Sequence, residues 1–166
     1  MNVSTFYALF AATCFTLTGL WWGVVQRDTR WVHDPVQRRA IGGVYLAFLL
    51  PALMGLFAQV GGPEDQAVWR LSFVVVAVIG VVTTLRLLAI DSAPGVTSLR
   101  VTAAAIYALV ALIGAFPQLA DVLGLRALQA EALLLILLVA LGHGLVWRFF
   151  VHSSVEYEGG IPDQPG

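Results

Sequence analysis

From Met1 to Gln26 the chain carries no charged side chain, and four further stretches of similar length are nearly as clean. A helix rises about 1.5 Å per residue, so roughly 20 apolar residues cross the roughly 30 Å hydrocarbon core of a bilayer. The stretches 3–26, 40–60, 71–90, 101–120 and 128–150 all qualify. The second ends at Gly61-Gly62-Pro63, and the third stops before Asp91 and the turn signal Pro94-Gly95. Open sheet edges cannot face lipid, and the runs lack the alternation over about ten residues that marks a barrel strand. The expected fold is an all-α integral membrane protein, a bundle of five transmembrane helices with short loops. Residues 1–151 form its one helical domain. Residues 152–166, acidic and rich in Gly and Pro, are expected to form a disordered cytoplasmic tail.

Composition agrees with this reading. Apolar residues make up 59% of the chain and charged residues 11%, against about 25% charged in a soluble domain. Ten acidic side chains nearly cancel nine basic ones, so no bulk charge points to nucleic acid and the expected partner is the lipid bilayer. A single Cys excludes a disulfide framework and a Cys-based zinc site. Every basic residue is Arg, a usage that suits a GC-rich bacterial genome and hence a bacterial plasma (inner) membrane. The first apolar segment lacks a basic leader and outruns a signal-peptide core, so it reads as a mature helix.

Arginine placement sets the expected direction. Arg27, Arg30, Arg38 and Arg39 fall between the first two helices, and Arg86, Arg100 and Arg148 fall on the same side, leaving only Arg70 and Arg126 opposite. The amino terminus is then outside and the carboxyl terminus cytoplasmic. Trp21, Trp22 and Trp147 sit near the inner interface, and the basic first loop contacts anionic head groups.

Helices in lipid associate through small residues and polar contacts. Helix one carries the stripe Thr5, Ala8, Ala12, Thr16, Gly19 and Gly23. Helix two has Ala47, Pro51 and Gly55, with a kink expected at Pro51, and helix five has Ala140 and Gly144. Packing within the bundle accounts for such stripes, and homo-oligomer contact is the alternative.

Ionisable groups inside a membrane are functional candidates because leaving them unpaired is costly. Arg86 lies about one turn from the inner end of helix three. An Arg costs about 2.5–3.5 kcal/mol at the bilayer centre and less near the interface, where its stem snorkels. His143 lies about two turns inside the inner end of helix five. By depth alone, Arg86, His143, Thr83, Thr84, Tyr45 and Tyr107 form a candidate polar layer in the cytoplasmic half, able to hold an anion or relay a proton. No cofactor is expected; haem at His143 needs the His143 of a second copy as the other axial ligand. Glu131, in the first turn of helix five, suits the helix dipole, and pairing with Arg126 or Arg70 at the outer rim accounts for it.

No phosphate loop, zinc helix or pair of intramembrane carboxylates occurs, so no catalytic or metal-binding residues are assigned and a non-enzymatic role is expected. Two readings remain. The first is a small channel or transport-related membrane component acting as an oligomer. The alternative is a structural or accessory subunit scaffolding a larger membrane complex.

Overall fold

Five long helices dominate the computed structural model, which describes residues 3–27, 33–61, 66–90, 96–122 and 124–158. They are α1 (Val3–Val25), α2 (Pro35–Gly61), α3 (Gln66–Ile90), α4 (Val96–Ala115) and α5 (Ala127–Glu158), with one short helical turn, Gln118–Asp121, between the last two. No strand occurs among the described residues. All five are long and apolar enough to cross a membrane, and large apolar side chains such as Leu20, Leu71, Leu133 and Trp147 stand exposed on the outer faces. A soluble monomer rarely leaves such a surface uncovered. By length and composition the five helices are those of a multi-pass helical membrane protein. Arg30, Asp91, the Pro94-Gly95 signal and residues 159–166 of the expected tail lie outside the described residues.

Several helix ends differ from the expected ones, each for a local reason. α2 begins at Pro35, earlier than expected, because Asp34 caps it. The Asp34 Oδ1 accepts the Val36 N–H at 2.9 Å, and proline at the first helical position has no N–H to leave orphaned. α4 stops at Ala115 rather than running to Ala120, since Pro117 disfavours helical backbone before it and cannot donate to the ladder. Its start moves back to Val96, which places Arg100 on the helix instead of in a loop. α5 runs on to Glu158, so the backbone of residues 152–158 is helical where a disordered tail was expected. The first strong helix breakers after Val151 are Gly159 and Gly160. Gly124, before α5, adopts φ 67°, a left-handed conformation natural to glycine.

Contacts between helix ends fix the antiparallel order. Trp21 Nε1 donates to the Ile41 carbonyl at 3.2 Å, joining the end of α1 to the start of α2. Gly61 lies against the Trp69 backbone across the next connection, and Arg100 Nη1 donates to the Leu87 carbonyl at 3.1 Å between α3 and α4. Each of α2, α3, α4 and α5 packs on its neighbour in sequence, and α5 also packs on α2. These four close a ring, with α1 held outside it, mainly on α2. Of the described arginines, Arg27, Arg38, Arg39, Arg86, Arg100 and Arg148 lie toward one end of the bundle, the Arg-rich end, and Arg70 and Arg126 toward the other.

The stripe expected to pack α1 into the bundle does not do so. Thr5, Ala8, Ala12, Thr16, Gly19 and Gly23 are all exposed, and a Cβ built on Gly19 or Gly23 meets nothing within 4 Å. The inward face is instead Tyr7, Ala11, Cys14, Thr18, Trp21 and Val25. The larger side chains fill space against α2, and Tyr7 ties α1 to α5 by donating to the Leu128 carbonyl at 2.8 Å. Gly55 does act as a packing glycine: a Cβ there would sit 3.1 Å from Ala11 Cβ and 3.3 Å from the Tyr7 carbonyl. Gly55→Leu should therefore destabilise the protein by about 1–3 kcal/mol through overpacking. Gly19→Leu should leave an isolated chain near wild-type stability, and thermal unfolding of both variants in mild detergent checks the contrast.

Candidate functional site

A cavity of about 330 Å³ lies inside the four-helix ring at the Arg-rich end. That volume falls at the lower end of small-ligand pockets. No residue of α1 lines it. Its walls are apolar, with Val44 and Leu50 from α2, Leu87 from α3, and Leu138 and Leu145 from α5. Tyr107 forms part of its lining, 3% exposed, with its ring against Gly80; a Cβ on Gly80 would fall 2.6–2.8 Å from three ring atoms. Only glycine lets α3 and this ring approach so closely.

Polar groups collect toward the end where α2 and α4 begin. Asp34, Gln37, Arg100 and Arg148 line this part, with Thr83 and Thr84 on the α3 wall. Arg100 is 7% exposed and binds the Leu87 carbonyl, a cation held against the closing turns of α3, where the helix dipole is negative. Asp34 and Val96 bring the amino-terminal ends of α2 and α4 into the lining, and helix amino termini favour anions. Among the described residues, the lining thus holds two guanidiniums and one carboxylate. Pro51 sits within α2 and deprives the Ala47 carbonyl of its usual donor four residues on; Ala47 is part of the same wall.

The six residues of the expected polar layer divide between two environments. Thr83, Thr84 and Tyr107 come together in the cavity. Arg86 and His143 are exposed on the outer surface and are absent from the lining. His143 keeps its ring beside Phe48, centroids 5.3 Å apart, with Nδ1 2.9 Å from the Val139 carbonyl of its own helix. Tyr45 is half-buried against Trp22. Depth along a helix was readable, but rotation about its axis separates residues of equal depth. Gly144 meets Leu99 at ordinary contact distance, while its neighbour Gly142 admits Phe48, a Cβ there falling 3.0 Å from the ring. Among the described residues no group of three or more His, Cys, Asp or Glu could hold a metal ion.

Arg100, Arg148 and Glu131 are the polar residues that sequence reasoning undervalued. Arg100 opens the apolar stretch of α4 and Arg148 closes that of α5, so a count of apolar residues places both at helix ends. Glu131 is not at a rim but fully buried, 0% exposed. Arg70, its expected partner, turns instead to the end of α4, donating from Nε to the Gly114 carbonyl at 3.0 Å and from an Nη to the Ala115 carbonyl at 2.8 Å. The available signal was that Glu131 is the one acidic residue within the five spans.

No family model matches this chain, and neither a curated protein nor a solved structure matches it.

Proposed function

We propose that this is a non-enzymatic, transport-related membrane component of a bacterial inner membrane, and that its cavity receives an amphipathic anion. The observation that carries the reading is the pairing of apolar walls with Arg100 and Arg148 at one end of the same cavity. An acyl or aryl body suits the walls formed by Leu50, Leu138 and Leu145. A carboxylate or phosphate head suits the guanidiniums, since basic pockets between transmembrane helices hold lipid-type head groups. By the Arg distribution the amino terminus is outside and the cavity faces the cytoplasmic half. Any continuous ion path is then a feature of an oligomer.

Accessibility chemistry tests this reading. Thr84→Cys adds a cavity thiol to a protein whose own Cys14 is buried. A membrane-impermeant maleimide should label Thr84→Cys in inside-out vesicles and not in right-side-out ones, and a long-chain fatty acid or lysophosphatidic acid should slow the labelling. Equal labelling from both sides, or no protection by either amphiphile, removes the proposal.

A specific observation also favours the accessory reading. The outward stripe of α1 from Thr5 to Gly23 consists of small residues and is exposed, and close approach of backbones is how transmembrane helices associate. Copurification from mild detergent separates the outcomes: a lone oligomer supports the transport component, and a stoichiometric foreign membrane protein supports the accessory subunit.

A further inference from the structure

At the end of the bundle opposite the cavity, the Glu131 carboxyl is fully buried and neither of its oxygens has a hydrogen-bond partner. It sits where α3, α4 and α5 converge on Gly114. A Cβ on that glycine would lie 3.5 Å from both Glu131 Oε1 and the Arg70 carbonyl. Two groups face it electrostatically, Arg70 from α3 and Tyr7 from α1. The single Tyr7 hydroxyl proton is committed to the Leu128 carbonyl, so toward Glu131 that oxygen can only accept. Arg70 directs two of its N–H groups to Gly114 and Ala115. The ionisable residues of α2 (Arg38, Arg39 and Tyr45) and Arg100 of α4 lie toward the Arg-rich end, Tyr107 lines the cavity, and Asp121 and Arg126 are exposed.

An ionised carboxylate in this place finds no donor within hydrogen-bond reach, and a buried charge without hydrogen bonds is strongly disfavoured. The protonated acid carries no such charge and brings a donor to a site whose neighbouring tyrosine oxygen can accept. An acidic residue inside a membrane is otherwise expensive to retain. We propose that Glu131 is an intramembrane proton-binding site, a carboxyl group that takes up and gives up a proton just beneath the rim formed by Arg70. The site is separate from the cavity and stands whether or not the cavity binds an amphiphile.

Two measurements on the full chain in lipid nanodiscs test it. Dicyclohexylcarbodiimide reports a protonated carboxyl in an apolar place. The carboxyl proton passes to a carbodiimide nitrogen, the carboxylate oxygen adds to the central carbon, and acyl transfer from oxygen to nitrogen leaves a stable N-acylurea containing every atom of both reactants. Peptide mass spectrometry should place the adduct on Glu131. Labelling should fall about tenfold per pH unit once the site begins to ionise, and should be lost in Glu131→Gln. Infrared difference spectra with ¹³C-carboxyl glutamate should show a protonated carboxyl band that moves in D₂O and disappears as pH rises. This measurement uses the wild-type chain and stands even where Glu131→Gln fails to fold. Ionised-carboxylate bands alone at every pH from about 5 to 9, with no adduct at Glu131, overturn the proposal. Sodium displacing the protonated band at fixed pH overturns it too, because the site then belongs to a metal cation.

Discussion

Arg148→Met should weaken binding of a long-chain fatty acid or lysophosphatidic acid by about 30-fold or more, and Arg100→Met by at least as much. Removing one partner of a buried, charge-assisted pair costs about 2–5 kcal/mol, and each 1.4 kcal/mol is a factor of ten. Arg100 carries a second duty, because its Nη1 also holds the Leu87 carbonyl at the closing turns of α3. Arg100→Met should therefore lower thermal stability as well as affinity. A neutral amphiphile of the same chain length separates head from tail recognition: its binding should be weak in the wild type and unchanged in Arg148→Met. Calorimetry or a fluorescent-acyl displacement assay in nanodiscs reads all of these. Equal affinities of wild type and both variants would mean that the guanidiniums serve the fold and leave the anion unrecognised.

The parts of this molecule that were legible in its sequence are those governed by length and by local backbone chemistry. Five runs of apolar residues became five helices because inside lipid each backbone must satisfy its own hydrogen bonds. Two misplaced ends had readable causes. Asp34-Pro35 is a cap followed by a proline in the first turn, and Pro117 is a stop signal; hydrophobicity alone passed over both. What length could not supply is which face of each helix turns inward. In a soluble protein the apolar stripe marks the buried side, but here lipid and core accept the same residues. Thr5 to Gly23 on α1 therefore looked like a packing face and proved to be the outer one, while bulky Tyr7 and Trp21 turned in.

The same ambiguity divided the candidate site. Thr83 and Arg86 lie within one turn of each other on α3, yet Thr83 lines the cavity and Arg86 is exposed. His143 and Gly142 are adjacent, and Gly142 lines the cavity while the imidazole faces out. Arginine and histidine attracted attention because charge in lipid is costly, but that cost is avoided as readily by an outward position near an interface as by a buried partner. Glu131 has neither escape, being short and fully enclosed. An acidic residue in a span thus becomes informative only once its rotation about the helix is known.

Gly80→Ala should be among the most damaging single-methyl additions in the bundle, and it should reach the cavity as well as the fold. The added Cβ would stand 2.6–2.8 Å from three atoms of the Tyr107 ring, closer than any relaxed contact, so the ring or the α3–α4 spacing has to give. Tyr107 is 3% exposed and packs in the main core with Leu50, Ala77 and Leu138, which leaves the neighbouring cavity as the easiest direction for the ring to move. Overpacking of this kind costs about 1–3 kcal/mol, and a ring displaced into about 330 Å³ of cavity removes space that a ligand body needs. Thermal unfolding should fall, and amphiphile affinity should fall at least about tenfold. Tyr107→Ala removes the clash at its source. In that background Gly80→Ala should be nearly neutral, giving a double-mutant coupling of about 1–3 kcal/mol. Strict additivity of the two substitutions would show that Gly80 is required for some reason other than the ring it faces.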